Sequence, residues 1–419
     1  MQALSQLSYS PTEVGREGTG RLPRLSTFEE IRLRGGSSIT AALAAMPRTT
    51  CADTASWLQQ ACQHLQIVGI SDDSRLILRH KCASSCSCLA PAPYYRLWPG
   101  VRDLPMSGAI RNLLYPIPPA LRGRHTLIDA AGLQQVRESI QNNYHQGWRA
   151  KEHYSAAAYE QDLNAHLYTR LESDRRFVIP WLNSARPLNG MRVLEIGCGT
   201  GSSSVALAEQ GAHVTGIDID GAALEVARDR CRIHGLSVDI RESSAKHLLD
   251  FGPMDAVLYF AVLEHMNNEE RLQSLADAWA LLSRGGLLAI IETPNRLWYF
   301  DEHTSQLPFY HWLPHDLAFT YSRFSPRENF NDKYRELNPD SLNHFLRRGR
   351  GASYHEIDVA IAPTRSLDTV SSLVGHFGWR RRMRMSRFAR RYKALLRQIR
   401  PDLHEGWFDL DLDVVIRKH

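Results

Sequence analysis

From Met191 onward the chain alternates short apolar runs with stretches of helical length, and the first run ends in three glycines spaced two apart. MRVLEI runs into Gly197-Cys198-Gly199-Thr200-Gly201, and a helical stretch over 202–209 follows. HVTGID is the next strand, then a helix over 222–234, SVDIR, DAVLYF, a helix over 269–282 closed by Gly285-Gly286, and LLAIIET. Strands that alternate with helices of this length predict right-handed βαβ units and a parallel sheet. Runs apolar on both faces predict strands covered by helices on both sides. The fold class is therefore α/β, a Rossmann-like sheet.

The chain closes on FDLDLDVVIRKH, where apolar residues alternate with Asp409, Asp411 and Asp413. That period predicts a strand with one covered face. A helix is expected over 339–347 and a strand over 354–359. With 419 residues the chain is too long for one such core. Residues 126–190 carry helical spacing (Ile128, Leu133, Val136, Ile140, Tyr144, then 154–171) and form a helical extension. Residues 1–125 are broken by Gly, Ser, Pro and Arg and are poorly defined, with a helix plausible over 52–65 and a strand over 75–78. The core then occupies 191–419, with insertions at about 296–335 and 363–405. Its longest apolar runs, such as 287–291, fall far short of the roughly 18 residues of a membrane span. The polar start shows no secretion signal, so the expected location is the cytoplasm.

Glycines at a strand-to-helix turn let a ligand approach the backbone, and the helix start offers free N–H groups. Asp218 ends the second strand beside the same crevice, where its carboxylate can accept ribose hydroxyls. A dinucleotide site usually reads G-x-G-x-x-G, with pyrophosphate on the helix N-terminus. Here the spacing is G-x-G-x-G, and Glu195 stands two residues before it. An acid there repels a pyrophosphate and suits a ligand that carries an ammonium, such as S-adenosylmethionine. VLEIGCGTG, GIDID, DAVLYFAVLEHM and LLSRGGLLAIIETPNR, in that order, resemble a class I S-adenosylmethionine-dependent methyltransferase. The branch they resemble is the type 11 and ubiquinone-biosynthesis-like one. The resemblance covers about 191–296 and implies a seven-stranded sheet whose last strand is reversed. It also implies roles: Gly197, Gly199 and Gly201 against the methionine part, Glu195 organising that loop, Asp218 on the ribose, Ile219 beside the adenine, and the Phe260 backbone at the methionyl group. Where the family often has an acid for the adenine amino group, this sequence gives Ser243-Ser244, or Glu242 if the register slips by one.

Transfer to a hydroxyl needs in-line geometry and a place for the proton. His265, in Leu263-Glu264-His265 after the fourth strand, is the candidate base. The aromatic-rich stretch 296–334 is expected to be a substrate lid. Its Asp301, Glu302, His303, His311, His315 and Asp316 have no regular ligand spacing, so no metal is expected. Tyr144, Trp148 and Tyr154 are placed to roof the cofactor or to pack as ordinary helix residues. Cys82, Cys86 and Cys88 fit neither zinc nor iron–sulfur spacing and read as a loop. A small-molecule acceptor methylated on oxygen is the leading reading. Methylation of nitrogen or carbon, and a non-catalytic cofactor-binding module, are its rivals.

The net charge of +5 is concentrated. Ten bases and no acid lie between Arg380 and Arg400; without those ten, 40 Lys and Arg face 45 Asp and Glu. Met385, Phe388, Tyr392, Leu395 and Ile399 recur three or four apart, so this segment is a basic amphipathic helix. Such a helix suits an anionic membrane surface or an anionic substrate, or it caps the acidic remainder. RNA is disfavoured, because no RNA-binding module is visible elsewhere.

Overall fold

A computed structural model describes residue 112 and residues 114–419, apart from 247, 328–329, 331–333, 335 and 379–384. The helix and strand expected in 52–78 and the Cys82, Cys86 and Cys88 group lie outside the described residues, as do the first bases of the Arg-rich segment.

Seven strands form one sheet: β1 (Arg192–Ile196), β2 (His213–Asp218), β3 (Asp239–Glu242), β4 (Met254–Phe260), β5 (Leu282–Pro294), β6 (Asp368–Ser372) and β7 (Asp411–Arg417). Their order is β3-β2-β1-β4-β5-β7-β6. β1 to β5 pair in parallel, and β7 runs antiparallel between β5 and β6. The chain starts at β1 in the middle, works outward to β3, then crosses back to β4. The strand order reverses beside β1, and its carboxyl end is where an open α/β sheet leaves a crevice.

Successive residues of each central strand serve opposite cores. Val193, Ala256, Leu258, Ala289 and Ile291 pack on one face with Trp181 and Val205. Leu194, Val257, Tyr259, Leu288 and Ile290 pack on the other with Leu275, Ala278 and Trp407. The helices that matter most to the crevice are α1 (Ala130–Ser139), α2 (Ala156–Asn164), α3 (Ser202–Ala208), α4 (Gly221–Ile233), α5 (Asn268–Leu281), α6 (Tyr354–Ala360) and α7 (Arg387–Ile399). Local chemistry sets their starts. Asp220 accepts from the Ala222 and Ala223 N–H groups at the head of α4, and Asn267 and Glu270 form a capping box on α5. Among the described residues no helix is long and apolar enough to cross a membrane.

Three expectations change. The stretch 354–359 is helical rather than a strand, because Ser353 and Glu356 form a capping box. The sixth strand is Asp368–Ser372, within the stretch set apart as an insertion. β7 is covered on both faces: Val415 packs in one core with Trp181, and Leu412, Val414 and Ile416 pack in the other with Trp407. Its Asp413 is buried and accepts from the Glu292 N–H at 2.8 Å.

The stretch 296–335 also differs from a simple lid. Leu307, Tyr310, Phe319, Phe330 and Tyr334 are buried with Phe345 in a core of their own. The aromatics there mostly hold the insertion together, while Phe309, Trp312, Leu317 and Phe324 remain exposed.

Candidate active site at the glycine turn

β1 delivers the chain into the turn with Gly197, Gly199 and Gly201 all at positive φ (+82°, +50° and +78°). A Cβ on Gly201 would lie 2.9 Å from the Cα and Cβ of Ala227, so α4 packs directly on this backbone. A Cβ on Gly199 would meet nothing within 4 Å, so there the turn borders open space. Gly197 and Cys198 donate their N–H groups to the Ile217 carbonyl, at 2.8 and 3.1 Å.

Asp218 ties the turn to β2. Its carboxylate accepts from the Gly199 N–H at 2.9 Å and from the Asp220 N–H at 3.0 Å. Burial pushes its pKa up, opposed by those backbone donors. A carboxylate has lone pairs beyond these two bonds, so Asp218 can still accept from ribose hydroxyls. Ser243 donates its backbone N–H to the Asp218 carbonyl at 3.0 Å, while its hydroxyl turns to the Ser244 carbonyl. Ile219 is exposed, as a residue flanking a ligand edge would be. The Phe260 carbonyl lies 3.1 Å from where a Gly197 Cβ would stand.

Glu195 is fully buried, behind the turn. Its two oxygens accept from the Ser203 and Ser204 hydroxyls, the latter at 2.5 Å. Burial raises its pKa, and those hydroxyls pull it back. It holds the first turn of α3 in place from within and has no exposed surface toward the crevice.

The helical extension is wired to the same turn. Buried Arg230 of α4 donates to the Thr200 carbonyl at 2.8 Å and to the Leu167 and His166 carbonyls at 3.2 and 2.6 Å. Arg149 pairs with Asp220 at 2.7 Å and lies over the Tyr144 ring at 4.1 Å. Tyr144 thus belongs to a wall that ends at Asp220, two residues past the ribose-binding candidate. Nothing in the sequence pattern pointed to Arg230 or Arg149.

Across the crevice, β4 ends at Ala261 with φ +49°, and β5 has Glu292 at φ +59° where its register with β7 shifts. Left-handed backbone at such residues costs about 1–2 kcal/mol each, and strain of this kind gathers at functional sites. The next turn carries His265. Its Nδ1 lies 2.9 Å from the Arg347 carbonyl. A carbonyl only accepts, so Nδ1 carries the proton and Nε2 is the basic atom of the neutral ring. Beside it, Glu264 is fully buried, with Oε1 lacking a hydrogen-bond partner. His265 Nε2 and His303 Nε2 lie 3.8 and 3.9 Å from that oxygen. Ligating atoms of Glu264, His265 and His303 fall within 4.8 Å of one another, a grouping that could hold a metal ion. The spacing in sequence concealed it, because the last two stand 38 positions apart with α5 and β5 between them. Arg271 fixes the whole turn: it donates to the Leu263 carbonyl at 2.9 Å, to the Arg350 carbonyl at 2.9 Å, and to Glu356 at 3.0 Å.

The sheet order, the glycine turn and Asp218 define an α/β domain with a crevice at the end of β1, and residues 193–286 match a family described as a methyltransferase domain. Over this stretch the chain is similar to S-adenosylmethionine-dependent methyltransferases. The chain is 39% identical over 117 residues to the ubiquinone biosynthesis O-methyltransferase of Maricaulis maris (strain MCS10), covering 27% of this chain and 45% of that one. Against the Xylella fastidiosa (strain 9a5c) protein of the same description it is 38% identical over 120 residues, covering 28% and 48%. The chain thus spans about half the length of the curated relatives it matches. Among solved structures it is similar to magnesium protoporphyrin IX methyltransferase from Synechocystis PCC 6803 with bound SAH. There the identity is 24% and the TM-score 0.28, over 38% of this chain and 66% of that one.

Proposed function

We propose that the chain binds S-adenosylmethionine at the glycine turn and transfers its methyl group to an oxygen of a small or lipid-linked metabolite. The observation that carries this is the Asp218 carboxylate, which holds Gly199 from one side while Gly199 borders open space on the other. The residues fit the cofactor: backbone N–H groups and glycines for the methionine part, Asp218 for the ribose, and the Ser243 backbone region for the base. When bound, the cofactor supplies an electrophilic methyl group on a sulfonium. The chain's own residues do the rest. Ser203 and Ser204 with Glu195 keep the helix start rigid, Phe260 and Ala261 shape the floor, and His265 takes the acceptor's proton at Nε2. Its tautomer is set by Arg347, and Glu264 beside it favours the imidazolium that forms.

Oxygen is the acceptor atom favoured by His265, since an alcohol or phenol has to lose a proton where a thioether or amine lone pair does not. The ubiquinone biosynthesis O-methyltransferases it resembles over 114 to 120 residues support the same choice. Calorimetric titration with S-adenosylhomocysteine tests the first step; no heat at millimolar ligand rejects it. A labelled methyl donor with a metabolite extract tests the second, and label appearing only on nitrogen or carbon rejects transfer to oxygen. A cytoplasmic location is part of this reading and is checked by fractionation.

The basic helix α7 belongs to the same reading as an anionic contact surface. Its core-facing side holds Ala389 and Lys393, and Lys393 forms an ion pair with Asp409. Arg397 pairs with Glu405 at 3.2 Å and Arg400 with Asp402 at 2.9 Å. Phe388, Leu395 and Ile399 instead face outward, beside exposed Arg387, Arg390 and Arg391. Those three arginines form no ion pair among the described residues. Apolar side chains flanked by cations suit an anionic membrane surface. Reversing the three charges removes binding to phosphatidylserine vesicles if this is right; undiminished vesicle binding rejects it.

A further inference from the structure

A second cavity, of about 730 Å³, opens beyond β5 between the aromatic insertion, α6 and α7. None of the glycine-turn residues lines it. Its walls are of two kinds. Leu297, Trp312, Leu313, Pro314 and Tyr392 form an apolar side, and Arg296, Arg350, His311, His315 and His355 a cationic or titratable one, with no acid among the lining residues. That volume matches pockets that enclose small organic ligands.

The basic side is built rather than incidental. Arg350 is 4% exposed. Two of its N–H groups are spent on the Tyr310 and Leu313 carbonyls, at 2.8 and 2.5 Å, which fixes the plane of the guanidinium. Its Nε–H is buried without a partner, and so is the Nδ1 of His315. Arg350 has no carboxylate within ion-pair distance among the described residues. Glu356 lies behind the wall and is shared by Arg271 at 3.0 Å and Arg296 at 3.4 Å, while Asp301 faces His311 at 3.2 Å. Two guanidiniums therefore share one carboxylate while a third, Arg350, has none within ion-pair distance, and the cavity keeps a positive field. The His315 ring registers it: after burial, Arg350, Arg296 and Arg271 are the largest influences that lower its pKa. A buried guanidinium that no carboxylate answers is costly unless another anion comes within reach.

We propose that this cavity is a binding site for a small organic anion, its phosphate or carboxylate group held by Arg350, Arg296 and His315 and its apolar body lying against Trp312, Leu313 and Tyr392. The site goes beyond the methyl-transfer reading and does not depend on it. A guanidinium suits either oxyanion, since both present paired oxygens to its planar donors.

The test uses the full chain and phenyl phosphate as probe, titrated by calorimetry beside phenol and inorganic phosphate. Phenyl phosphate is expected to bind at least tenfold more tightly than either half alone. Arg296→Gln and His315→Asn, both at partly exposed positions, are each expected to weaken it at least fivefold while S-adenosylhomocysteine binding and the melting temperature stay unchanged. Arg350→Gln serves as a third variant, read only if it folds, because Arg350 also holds two carbonyls. Phenol binding as tightly as phenyl phosphate overturns the proposal, as does phenyl phosphate affinity unchanged in both Arg296→Gln and His315→Asn. Loss of S-adenosylhomocysteine binding alone would bear on the glycine turn and leave this site standing.

Discussion

Two glycines of one turn should fail in different ways. Gly201 and Gly199 both have positive φ, where an L-residue costs about 1–2 kcal/mol. Only at Gly201 does a Cβ also collide, at 2.9 Å from Ala227, and the obstacle is backbone rather than a flexible side-chain end. Overpacking of that kind adds roughly 1–3 kcal/mol. Gly201→Ala is therefore expected to lose about 2–5 kcal/mol, and Gly199→Ala only about 1–2 kcal/mol. At about 2–4 °C per kcal/mol for a domain of this size, the melting temperature should fall by roughly 10 °C in the first and at most about 8 °C in the second. Ligand binding should rank the other way per unit of lost stability. Gly199 borders the open space where the methionine part would lie, so its methyl group should weaken S-adenosylhomocysteine at least tenfold in a protein that remains folded. Differential scanning fluorimetry and calorimetry on the two variants give both numbers. If Gly199→Ala binds the ligand as the unmodified chain does, the open side of the turn is not the cofactor site. If Gly201→Ala melts no lower than Gly199→Ala, the packing of α4 on the turn has been misjudged.

Lys393→Met removes the cation that faces buried Asp409 and should destabilise the chain by about 3–5 kcal/mol, read as a lower denaturation midpoint. Burial lowers the His166 pKa to about 3 and the His234 pKa to about 4. Both rings stay neutral in the folded state and protonate near 6.5 when unfolded, so their contribution is complete above that value and drains away as pH falls toward 4. Stability at pH 5 should be lower than at pH 7.5 by up to about 2 kcal/mol for each ring, and His234→Gln should flatten that slope. His265→Ala should lower kcat at least a hundredfold and remove the acidic limb of the pH–rate profile; unchanged rates would take His265 out of the mechanism. Millimolar zinc bound by Glu264, His265 and His303 would occupy the Nε2 that takes the proton, so it should raise the melting temperature and inhibit turnover, and Glu264→Gln should abolish both effects; no change in either leaves the Glu264 oxygen to the two imidazoles alone.

The parallel core was legible in the sequence, because its information is local. Strand period, helix period and glycine punctuation each act over a few residues, and Val193–Gly201 states strand, turn and helix start in order. Glu195, Asp218 and the glycines could be singled out for the same reason. Short-range capping also explains where the reading of 354–359 failed: a single turn of apolar and polar residues fits either period, and Ser353 with Glu356 tips it to helix. Glu195 was singled out as the acid that organises the loop, but no pattern says that Ser203 and Ser204 take both its oxygens.

What only the tertiary structure decided lies in contacts between distant segments. The sequence determined that the last strand alternates apolar residues with aspartates; that both its faces are covered was decided by distant segments, which put Val415 in one core with Trp181 and Val414 in the other with Trp407. It determined an amphipathic basic helix; the fold exposed Phe388, Leu395 and Ile399 and paired Lys393 with Asp409 and Arg397 with Glu405, which no pattern within the helix states. The aromatics of 296–334 looked like a lid, and most of them became a small core of their own because Phe345 arrives from another segment to complete it. Arg271, Arg230 and Arg350 carried no signal at all. A lone arginine in a helix reads as solvated surface until the fold surrounds it with carbonyls, and burial of that charge is a property of the assembled chain rather than of any stretch within it.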